Sequence, residues 1–408
     1  MRILFITYYF QPEPNFFMGL PFAKALKERG HQVQVLTGFP NYPGGRIYDG
    51  YAMKLLQRED FEGVPITRVP LYPSHDQSSL KRILSYTSLS MSQALLGPWL
   101  MKKSDIAYVV QGPATIALPA IAMRVLRRIP YVLDVRDLWP DSLPATGMFD
   151  NRFGLNIIGL WCRLMYKCAA KIVVPTPGIR RKLIERGVKQ DKIELIYNWC
   201  DDALICRAGK NPELAKSLDM NGKFNVVFAG NMGKAQALDA VIDAAKIISS
   251  EHLNIQFVFF GGGIEVENLK NRVDSLELKN VIFHKRKPVS KIGPILRLAD
   301  VLLVHLRDNP LFRITIPSKT QAYMALGRPI LVGVKGDATD LVKKAGAGIS
   351  CIPENPESIA NSVIELYQMS SEQRVQMSNK GIEFYDKEMS FEIAVGKYER
   401  LFQEVIRS

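Results

Sequence analysis

Cysteine is scarce in this sequence, and its five cysteines form no Cys-x-x-Cys pair. An odd number of scattered cysteines indicates reduced thiols rather than a disulfide framework or a zinc site. The chain also lacks low-complexity stretches and obvious repeats, which argues against a disordered protein or a solenoid. The apolar run from Ile3 to Ile6 is too short for a secretory signal. We therefore expect a folded protein that stays in the cytoplasm.

Signatures of nucleic-acid binding are missing as well. The sequence has no zinc-finger spacing, no aromatic RNA-binding motif and no long Lys/Arg run. The formal charge of +13 nevertheless implies an anionic partner. We expect no nucleic acid, which leaves a phosphate-bearing substrate or an acidic lipid surface.

A membrane-spanning run is absent, although one segment comes close to it. Residues 83–101 carry no charge and lie between Lys81-Arg82 and Lys102-Lys103. Six of these residues are Ser, Thr or Gln, whereas a span needs about 20 predominantly apolar residues. Two interpretations stay open, a helix packed on a sheet and a helix that lies on an anionic membrane surface.

The 408 residues exceed the size at which single cores usually stop growing. Short β-branched runs alternate with amphipathic stretches, which is the βαβ rhythm of a parallel sheet. The predicted strands are 2–7, 33–37, 66–69, 106–110, 131–135, 171–175 and 193–197, then 224–229, 255–260, 281–284, 301–306 and 330–332. We predict an α/β fold of two Rossmann-like, doubly wound domains, 1–200 and 201–385, that face a central cleft. A helix within 386–408 is expected to return to the first domain.

Ligands of open parallel sheets bind beyond the carboxyl ends of the strands, so the loops there are the candidate sites. Residues 228–234 read Phe-Ala-Gly-Asn-Met-Gly-Lys, in which Gly233 lets a phosphate approach while Asn231 and Lys234 offer polar contacts. In residues 259–263, three glycines ending at Gly263 permit a tight turn with room for a ligand. Ordinary turns that serve helix packing would look the same.

The third loop, residues 316–329, is the strongest motif. Pro317-Ser318 opens a helix, whose first amides and positive dipole end form an anion site. Lys319 and the hydroxyls of Ser318 and Thr320 would add charge and hydrogen bonds there. The alternative is an ordinary capped helix.

These motifs resemble the GT-B glycosyltransferases of family 4 through Ser-Lys-x-x-x-Tyr-Met-Ala-x-Gly-x-Pro and Phe-Ala-Gly-Asn-Met-Gly-Lys. The stretches 28–33, 37–43 and 136–142 resemble the subgroup that transfers N-acetylated amino sugars, such as N-acetyl-fucosamine, in O-antigen or capsule assembly. The resemblance implies a UDP-sugar donor held by the second domain. It also implies a polyprenyl-diphosphate-linked saccharide acceptor held by the first, at the inner face of a bacterial plasma membrane.

The sequence departs from the family pattern at four positions. Asn231 and Gln236 replace an Arg and a Lys that bind the donor diphosphate, so this role is assigned to Lys234 and Lys319. Ile314 and Ala322 replace two glutamates that contact the donor sugar and the ribose. The candidates to replace those contacts are Arg313, Thr315 or Gln321, and the alternative is that the chain is inactive.

The expected chemistry uses no metal and no cofactor, because the sequence has no Asp-x-Asp triplet. Helix dipole and lysines would stabilise the leaving diphosphate. Asp137 is the candidate base or electrostatic stabiliser, with Arg136 beside it, and the alternative role of Asp137 is to cap the following turn. Glu13 is expected to orient an acceptor hydroxyl, and Gly19 to let the donor phosphates approach.

Family resemblance implies transfer with retention of anomeric configuration. Two alternatives stay open. A nucleotide-sugar epimerase of the same architecture would need no acceptor, and an inactive scaffold of a polysaccharide-assembly complex would fit the two missing glutamates.

Overall fold

The computed structural model describes residues 1–14, 18–74, 79–145, 151–201, 204–205, 207 and 209–408. The chain divides into two α/β units, each of which is described by itself. Unit 1 comprises Met1–Tyr197 and Ala394–Ser408, and unit 2 comprises Asn198–Ile393.

The sheet of unit 1 has eight strands in the order β3-β4-β2-β1-β5-β6-β7-β8. Their bounds are β1 Arg2–Ile6, β2 Gln32–Gly38, β3 Gln57–Phe61, β4 Val64–Val69, β5 Ile106–Gln111, β6 Tyr131–Val135, β7 Lys171–Val174 and β8 Ile193–Leu195. All neighbours pair in parallel except β3 and β4. The central strands are buried on both faces, as expected for a parallel sheet covered by helices.

The helices of this part of the chain are α1 Leu20–Glu28, α2 Ser79–Leu100, α3 Ala117–Arg127, α4 Ser142–Ala145, α5 Arg152–Cys168 and α6 Pro177–Glu185. Local signals explain their starts. Thr176 caps α6 by accepting a hydrogen bond from Ile179 N at 3.2 Å, and Asn151 caps α5 by accepting from Gly154 N at 3.1 Å. Pro177 occupies the first turn of α6, where its missing N–H costs nothing.

Unit 2 contains a parallel sheet of six strands in the order β11-β10-β9-β12-β13-β14. Their bounds are β9 Phe224–Asn231, β10 Ile255–Gly262, β11 Val281–Lys285, β12 Val301–His305, β13 Ile330–Gly333 and β14 Gly348–Ser350. The remaining helices are α7 Pro212–Ser217, α8 Asp239–Ser249, α9 Val266–Ser275, α10 Val289–Leu296, α11 Pro310–Arg313, α12 Ser318–Leu326, α13 Asp337–Ala345, α14 Pro356–Gln368, α15 Ser371–Glu388 and α16 Phe391–Arg407.

The predicted doubly wound α/β fold is confirmed in both units, with every predicted strand present to within two residues at each end. Two strands were not predicted. β3 reads Gln-Arg-Glu-Asp-Phe, and its polar side chains suit an edge strand that water reaches. β14 has only three residues, too few to show a pattern.

The uncharged segment is the helix α2. One side packs on the sheet, where Gln93 Nε2 donates to Thr7 O at 3.1 Å and to Leu36 O at 3.2 Å. Leu80, Leu95 and Trp99 are exposed on the other side, by 79%, 63% and 78%. Within the described part of the chain, no helix is long and apolar enough to cross a membrane.

The end of the chain packs into unit 1. Residues 394–408 belong to that unit, and Tyr398 lies with its ring 5.0 Å from Phe22 and 5.5 Å from Tyr108, centre to centre. Glu399 accepts hydrogen bonds from Arg29 at 2.9 Å and pairs with His31 Nε2 at 2.8 Å. The last helix therefore completes the core of the unit that the amino terminus begins.

Candidate functional site

Two of the predicted motifs meet at the carboxyl edge of the sheet in unit 2. Lys319 is the second residue of α12, and its Nζ lies 3.6 Å from the centre of the Phe228 ring on β9. A Cβ atom added to Gly230, near the end of β9, would lie 3.1 Å from the same Nζ. The structure therefore brings the lysine of the third loop against the glycine of the first.

The face of the Phe228 ring offsets the charge of Lys319 only in part. Burial lowers the pKa of the Lys319 ammonium to about 7. No carboxylate among the residues that the structure describes forms an ion pair with it. A buried ammonium without a counter-ion is unfavourable. An anion at this edge would supply the missing negative charge and raise the pKa of Lys319 again.

The first turn of α12 adds donors at the same place. Its N-cap, Pro317, offers no side-chain hydrogen bond to the first amides, so they and the positive dipole end can meet an anion. Ser318 is exposed, whereas Thr320 is buried and its Oγ1 has no hydrogen-bond partner in the described structure. The Gln321 amide turns inward and donates to the carbonyl oxygens of Ser318 and Pro317 at 2.9 and 2.8 Å. Gln321 therefore stabilises the first turn of α12, whereas the sequence predicted that it contacts the ligand.

The glycines after β9 and β10 allow two loop backbones to approach closely. Gly261 and Gly263 have φ of +149° and +152°. A Cβ on Gly261 would lie 1.9 Å from Gly230 O, and one on Gly263 would lie 2.3 Å from Met232 O. Met232 N donates to Gly262 O at 2.8 Å across the same approach. Gly263 therefore allows the two loop backbones to pack closely. The sequence had suggested instead that it leaves room for a ligand.

The other predicted phosphate ligands lie on the turn after β9. Asn231 and Lys234 are exposed, and Gly233 N donates to Gln236 Oε1 at 3.0 Å. Lys234 lines a cavity of about 360 Å³ whose walls do not include Lys319. Its lining residues are Gly233, Lys234, Ala237, Leu238, Asp239, Glu265, Asn268, Leu269, Arg272 and Arg307. The two lysines predicted to share one diphosphate thus have different surroundings.

The residues expected to replace the missing glutamates are held by their own unit. Arg313 donates two hydrogen bonds to Asp308, at 2.8 and 3.0 Å, and Lys335 donates a third at 2.6 Å. Hydrogen bonds from Arg313 and Lys335 lower the pKa of Asp308 to about 2. Thr315 Oγ1 donates to Leu311 O at 2.8 Å. Arg313 and Lys335 thus share the Asp308 carboxylate, and Thr315 bonds within its own turn.

In unit 1, the Arg136 guanidinium pairs with a buried carboxylate. Its Nη2 lies 2.5 Å from Oδ2 of Asp134, a fully buried side chain of β6, and donates to Tyr398 Oη at 3.0 Å. Tyr398 donates to the same Asp134 oxygen at 2.6 Å, and Tyr108 also donates to it. Burial disfavours the charged guanidinium, but the Asp134 carboxylate outweighs it and raises the pKa of Arg136. Arg136 therefore forms a structural ion pair within unit 1, and its catalytic role stays a prediction.

Asp137 is half-buried in the turn after β6. Its Oδ2 accepts a hydrogen bond from Trp139 Nε1 at 3.0 Å, and its carbonyl oxygen accepts from Gln111 Nε2 at 2.8 Å. Burial raises the pKa of the Asp137 carboxyl, while hydrogen bonds from Ser142, Trp139 and the Leu138 amide oppose that rise. Asp137 therefore caps the turn and also offers a carboxylate more basic than usual.

Glu13 is fully buried, so it does not face an acceptor. Its Oε1 accepts from the backbone amides of Asn41 and Tyr42 at 2.8 and 2.9 Å, and its Oε2 accepts from Phe10 N at 3.3 Å. The structure therefore corrects the predicted role: Glu13 fixes the loop after β2 to the loop after β1. Gly19 lies buried at the N-cap of α1, where no side chain caps the helix.

Unit 1 also contains an aromatic cluster, in the loops after β1 and β2 and on α2, that the sequence did not predict. The rings of Tyr8 and Tyr9 are 5.2 Å apart, Tyr9 lies 4.6 Å from Tyr42, and Tyr8 lies 5.1 Å from Tyr86. The consecutive tyrosines after β1 were a visible signal. Partners from α2 and the loop after β2 were not, because distant parts of the chain supply them. In the described part of the chain, no group of three or more His, Cys, Asp or Glu side chains is arranged to hold a metal ion.

Two family models match the chain. Residues 20–199 match the glycosyl transferase 4-like domain, and residues 210–384 match glycosyl transferases group 1. The two matched stretches correspond to the two units.

Two curated relatives agree with this assignment, and a solved structure shares the fold. A probable glycosyltransferase, WbjE of Pseudomonas aeruginosa, is 23% identical over 73% of this chain and 77% of its own length. The putative colanic acid biosynthesis glycosyl transferase WcaI of Escherichia coli K12 is 26% identical over 74% of this chain and 75% of its own. HepE of Anabaena in complex with UDP superposes with a TM-score of 0.68 at 15% identity, over 99% of this chain and 100% of its own.

Proposed function

The two halves of the chain belong to the glycosyl transferase 4-like and glycosyl transferases group 1 families, and we propose that the chain transfers a sugar from a nucleotide-sugar donor to a lipid-linked acceptor. The donor is a UDP-sugar, and the acceptor is a saccharide linked to polyprenyl diphosphate. The reaction contributes to a bacterial surface polysaccharide. The name of the relative WcaI, which refers to colanic acid biosynthesis, supports this setting.

The proposal depends most on Lys319, which lies against the glycine edge of β9 without a carboxylate partner among the described residues. The lysine, the open first turn of α12 and exposed Ser318 together offer a cation, backbone amides and a hydroxyl to one anion. A sugar diphosphate needs such a site, because its departing oxygens gain negative charge as the sugar leaves. HepE, whose fold this chain shares, has been crystallised with UDP.

The chemical step breaks the bond between the anomeric carbon and the diphosphate oxygen, and forms a bond from that carbon to an acceptor hydroxyl. The hydroxyl proton must leave, and UDP carries away the negative charge. Asp137 is the carboxylate in unit 1 best suited to accept that proton or to stabilise positive charge on the sugar, since burial makes it more basic. We propose that transfer retains the anomeric configuration and requires no metal ion. Lys319 and the first amides of α12 would stabilise the leaving diphosphate instead of a metal.

The transferred sugar is proposed to be an N-acetylated amino sugar such as N-acetyl-fucosamine. This specificity depends on the resemblance of residues 28–33, 37–43 and 136–142 to that subgroup. A lipid-linked acceptor lies at a membrane surface. The exposed side of α2, flanked by Lys81-Arg82 and Lys102-Lys103, supports a peripheral position on the inner face of the plasma membrane.

A thermal-shift comparison tests the donor site. The cognate UDP-sugar should raise the melting temperature, because a ligand that binds only the folded state stabilises it. Lys319→Ala should weaken the apparent affinity about 10-fold to 100-fold, since a charge-assisted contact is worth about 1.5–3 kcal/mol. Lys343→Ala, an exposed lysine on α13, is the matched control. Equal shifts for Lys319→Ala and wild type would place the diphosphate elsewhere.

A further inference from the structure

Helix α5 presents an apolar stripe to solvent. Phe153, Ile157, Leu160 and Leu164 are exposed by 76%, 52%, 62% and 45%. Their spacing of four, three and four residues places them on one face of the helix. The opposite face is buried through Cys162, Met165 and Tyr166 and secures the helix to the unit. An exposed stripe of this size marks an interaction surface rather than an incidental apolar residue.

Two neighbouring helices, α2 and α3, also expose apolar side chains. Trp161 Nε1 of α5 donates to Ala114 O at 2.9 Å, and Thr115 Oγ1 donates to Tyr86 O of α2 at 3.3 Å. The short turn at 114–116, which leads into α3, thus joins α2 and α5 in one layer. On its outer side α3 exposes Val125 by 69% and Leu126 by 57%, and α2 exposes Leu80, Leu84, Leu95 and Trp99.

The charge of this layer has one sign. None of the helices α2, α3 and α5 contains an aspartate or a glutamate. Their basic residues are Lys81, Arg82, Arg124, Arg127, Arg152, Arg163 and Lys167. Asp141, which lines a cavity next to Leu160, is paired with Arg186. An apolar surface on helices whose charged residues are all basic complements an interface that is apolar inside and negative at its rim.

A basic cavity of about 500 Å³ lies where α3 and α5 end. Arg124, Arg128, Lys167 and Lys192 line it together with Pro130, Ala169 and Ala170, and no acidic side chain is part of the lining. Lys192 Nζ donates to Lys167 O at 2.9 Å, and Arg124 donates to Cys168 O. Those bonds cap the end of α5. Because a carbonyl group carries no net charge, they do not neutralise the four cations, and an anion bound in the cavity would.

The pKa of Lys192 reflects its position in this cavity. Burial, and then the charge of Arg124, lower the pKa of its ammonium. Asp191 acts in the opposite direction, although it is not part of the lining. The cavity is therefore short of negative charge.

We propose that α2, α3 and α5 dock on an anionic lipid bilayer, with the α5 stripe in the interface and the basic cavity on a lipid phosphate. A bilayer matches all three features at once, because it offers apolar depth and negative headgroups across the width of three helices. A second copy of this chain would oppose basic surface to basic surface, which is unfavourable.

Vesicle flotation of the full chain tests the proposal without donor or acceptor, so its failure would leave the transfer reaction untouched. Wild type should float with vesicles of phosphatidylcholine and phosphatidylglycerol and bind phosphatidylcholine alone far more weakly. Phe153→Ser with Leu160→Ser should weaken binding about tenfold or more. Arg128→Glu with Lys167→Glu should do the same.

Matched changes in unit 2 are the controls. Leu253→Ser with Ile264→Ser removes side chains that are 75% and 76% exposed, and Lys216→Glu with Lys343→Glu makes the same change of charge. Both controls should float as wild type does. Equal binding of all variants, or indifference to phosphatidylglycerol, would overturn the proposal. Stabilisation by inorganic phosphate that depends on Arg128 and Lys167, without vesicle binding, would identify a soluble anion instead.

A fluorescent probe separates insertion from simple adhesion. In the Phe153→Trp variant, brominated lipid in the mixed vesicles should quench the fluorescence of the new tryptophan, because its ring would lie at the boundary between headgroups and acyl chains. Leu253→Trp, with its substitution in unit 2, should show no added quenching over the native tryptophans. Bound protein with an unquenched Trp at position 153 would contradict insertion of α5.

Discussion

At the scale of single residues, Lys319 decides how the donor site responds to its surroundings. A lysine in water keeps its proton far above neutral pH, whereas burial brings the pKa of Lys319 to about 7. The phosphate of a donor favours the charged form. Donor binding and proton binding at Lys319 are therefore linked.

This linkage predicts a pH dependence of donor affinity. Above about pH 7, the dissociation constant of the UDP-sugar should rise by up to about tenfold per pH unit, because the free enzyme has lost the proton that binding requires. Lys319→Arg should flatten the profile, since arginine stays charged. Titration calorimetry from about pH 6 to about pH 9 measures both. A flat wild-type profile would contradict the assignment.

The same group affects stability with the opposite sign. Its folded pKa lies below its unfolded value, so the unfolded chain binds more protons between about pH 7 and about pH 10. Lys319 alone should therefore make the ligand-free fold more stable as pH rises through this window. Chemical unfolding of wild type and Lys319→Met at several pH values would isolate that contribution.

Asp137 is the residue whose role depends most on chemistry. Asp137→Asn keeps an oxygen for Trp139 Nε1 while removing the basic carboxylate. We predict that kcat falls about 100-fold or more, as for the loss of a general base, with donor binding unchanged. Asp141→Asn, which removes a carboxylate paired with Arg186 in the same loop, is the control. Full activity of Asp137→Asn would reduce Asp137 to a turn cap.

Which residues meet at a strand end could be predicted from the sequence, but the direction of their side chains was harder to infer. Residues two apart on a strand share a face, so Asp134 and Arg136 could have been recognised as a pair. Tyr398 could not, because it comes from the last helix. Glu13 was predicted from its loop alone, whereas its burial depends on amides contributed by the loop after β2.

At the scale of elements, the buried Asp134 links β6 to α16. Removal of Arg136 leaves that carboxylate without its counter-ion, so Arg136→Met should destabilise unit 1 by about 3–5 kcal/mol. Urea unfolding measures this loss. The control Arg136→Met with Asp134→Asn should recover much of it, since the unpaired charge is then absent while the new amide oxygen can still accept from Tyr108 and Tyr398. No recovery in the double variant would mean that packing, not charge, holds α16.

Helix α2 makes its own prediction for membrane binding. Lys102→Glu with Lys103→Glu should reduce attachment to anionic vesicles and make the remainder less sensitive to salt, because each basic residue near the surface contributes about 1 kcal/mol. Both lysines are exposed just beyond the helix. A flotation assay at low and high salt reports the change. Unaltered attachment would indicate that only the packed side of α2 matters.

Element prediction succeeded where hydrophobic pattern and burial agree. β6 is buried at every position, and its predicted bounds are confirmed. β3 failed because an edge strand with polar side chains has no apolar pattern to detect. The exposed stripe of α5 also escaped notice, because spacing predicts an amphipathic helix but not which of its faces the protein covers.

At the scale of the whole molecule, the two units divide the features of the proposed enzyme. Unit 2 contains the anion site around Lys319, and unit 1 contains Asp137 and the apolar, basic helical layer. The formal charge of +13 is consistent with both a phosphate ligand and an anionic surface.

The most direct test of the central claim is transfer itself. Purified protein, a panel of UDP-sugars and a polyprenyl-diphosphate-linked saccharide acceptor should yield a longer lipid-linked product and free UDP, detected by mass spectrometry. We expect acceptor-dependent UDP release that survives excess EDTA and is lowered about 10-fold to 100-fold in Lys319→Ala. Isomerised UDP-sugar without acceptor, donor binding without turnover, or activity that EDTA abolishes and magnesium restores would contradict it.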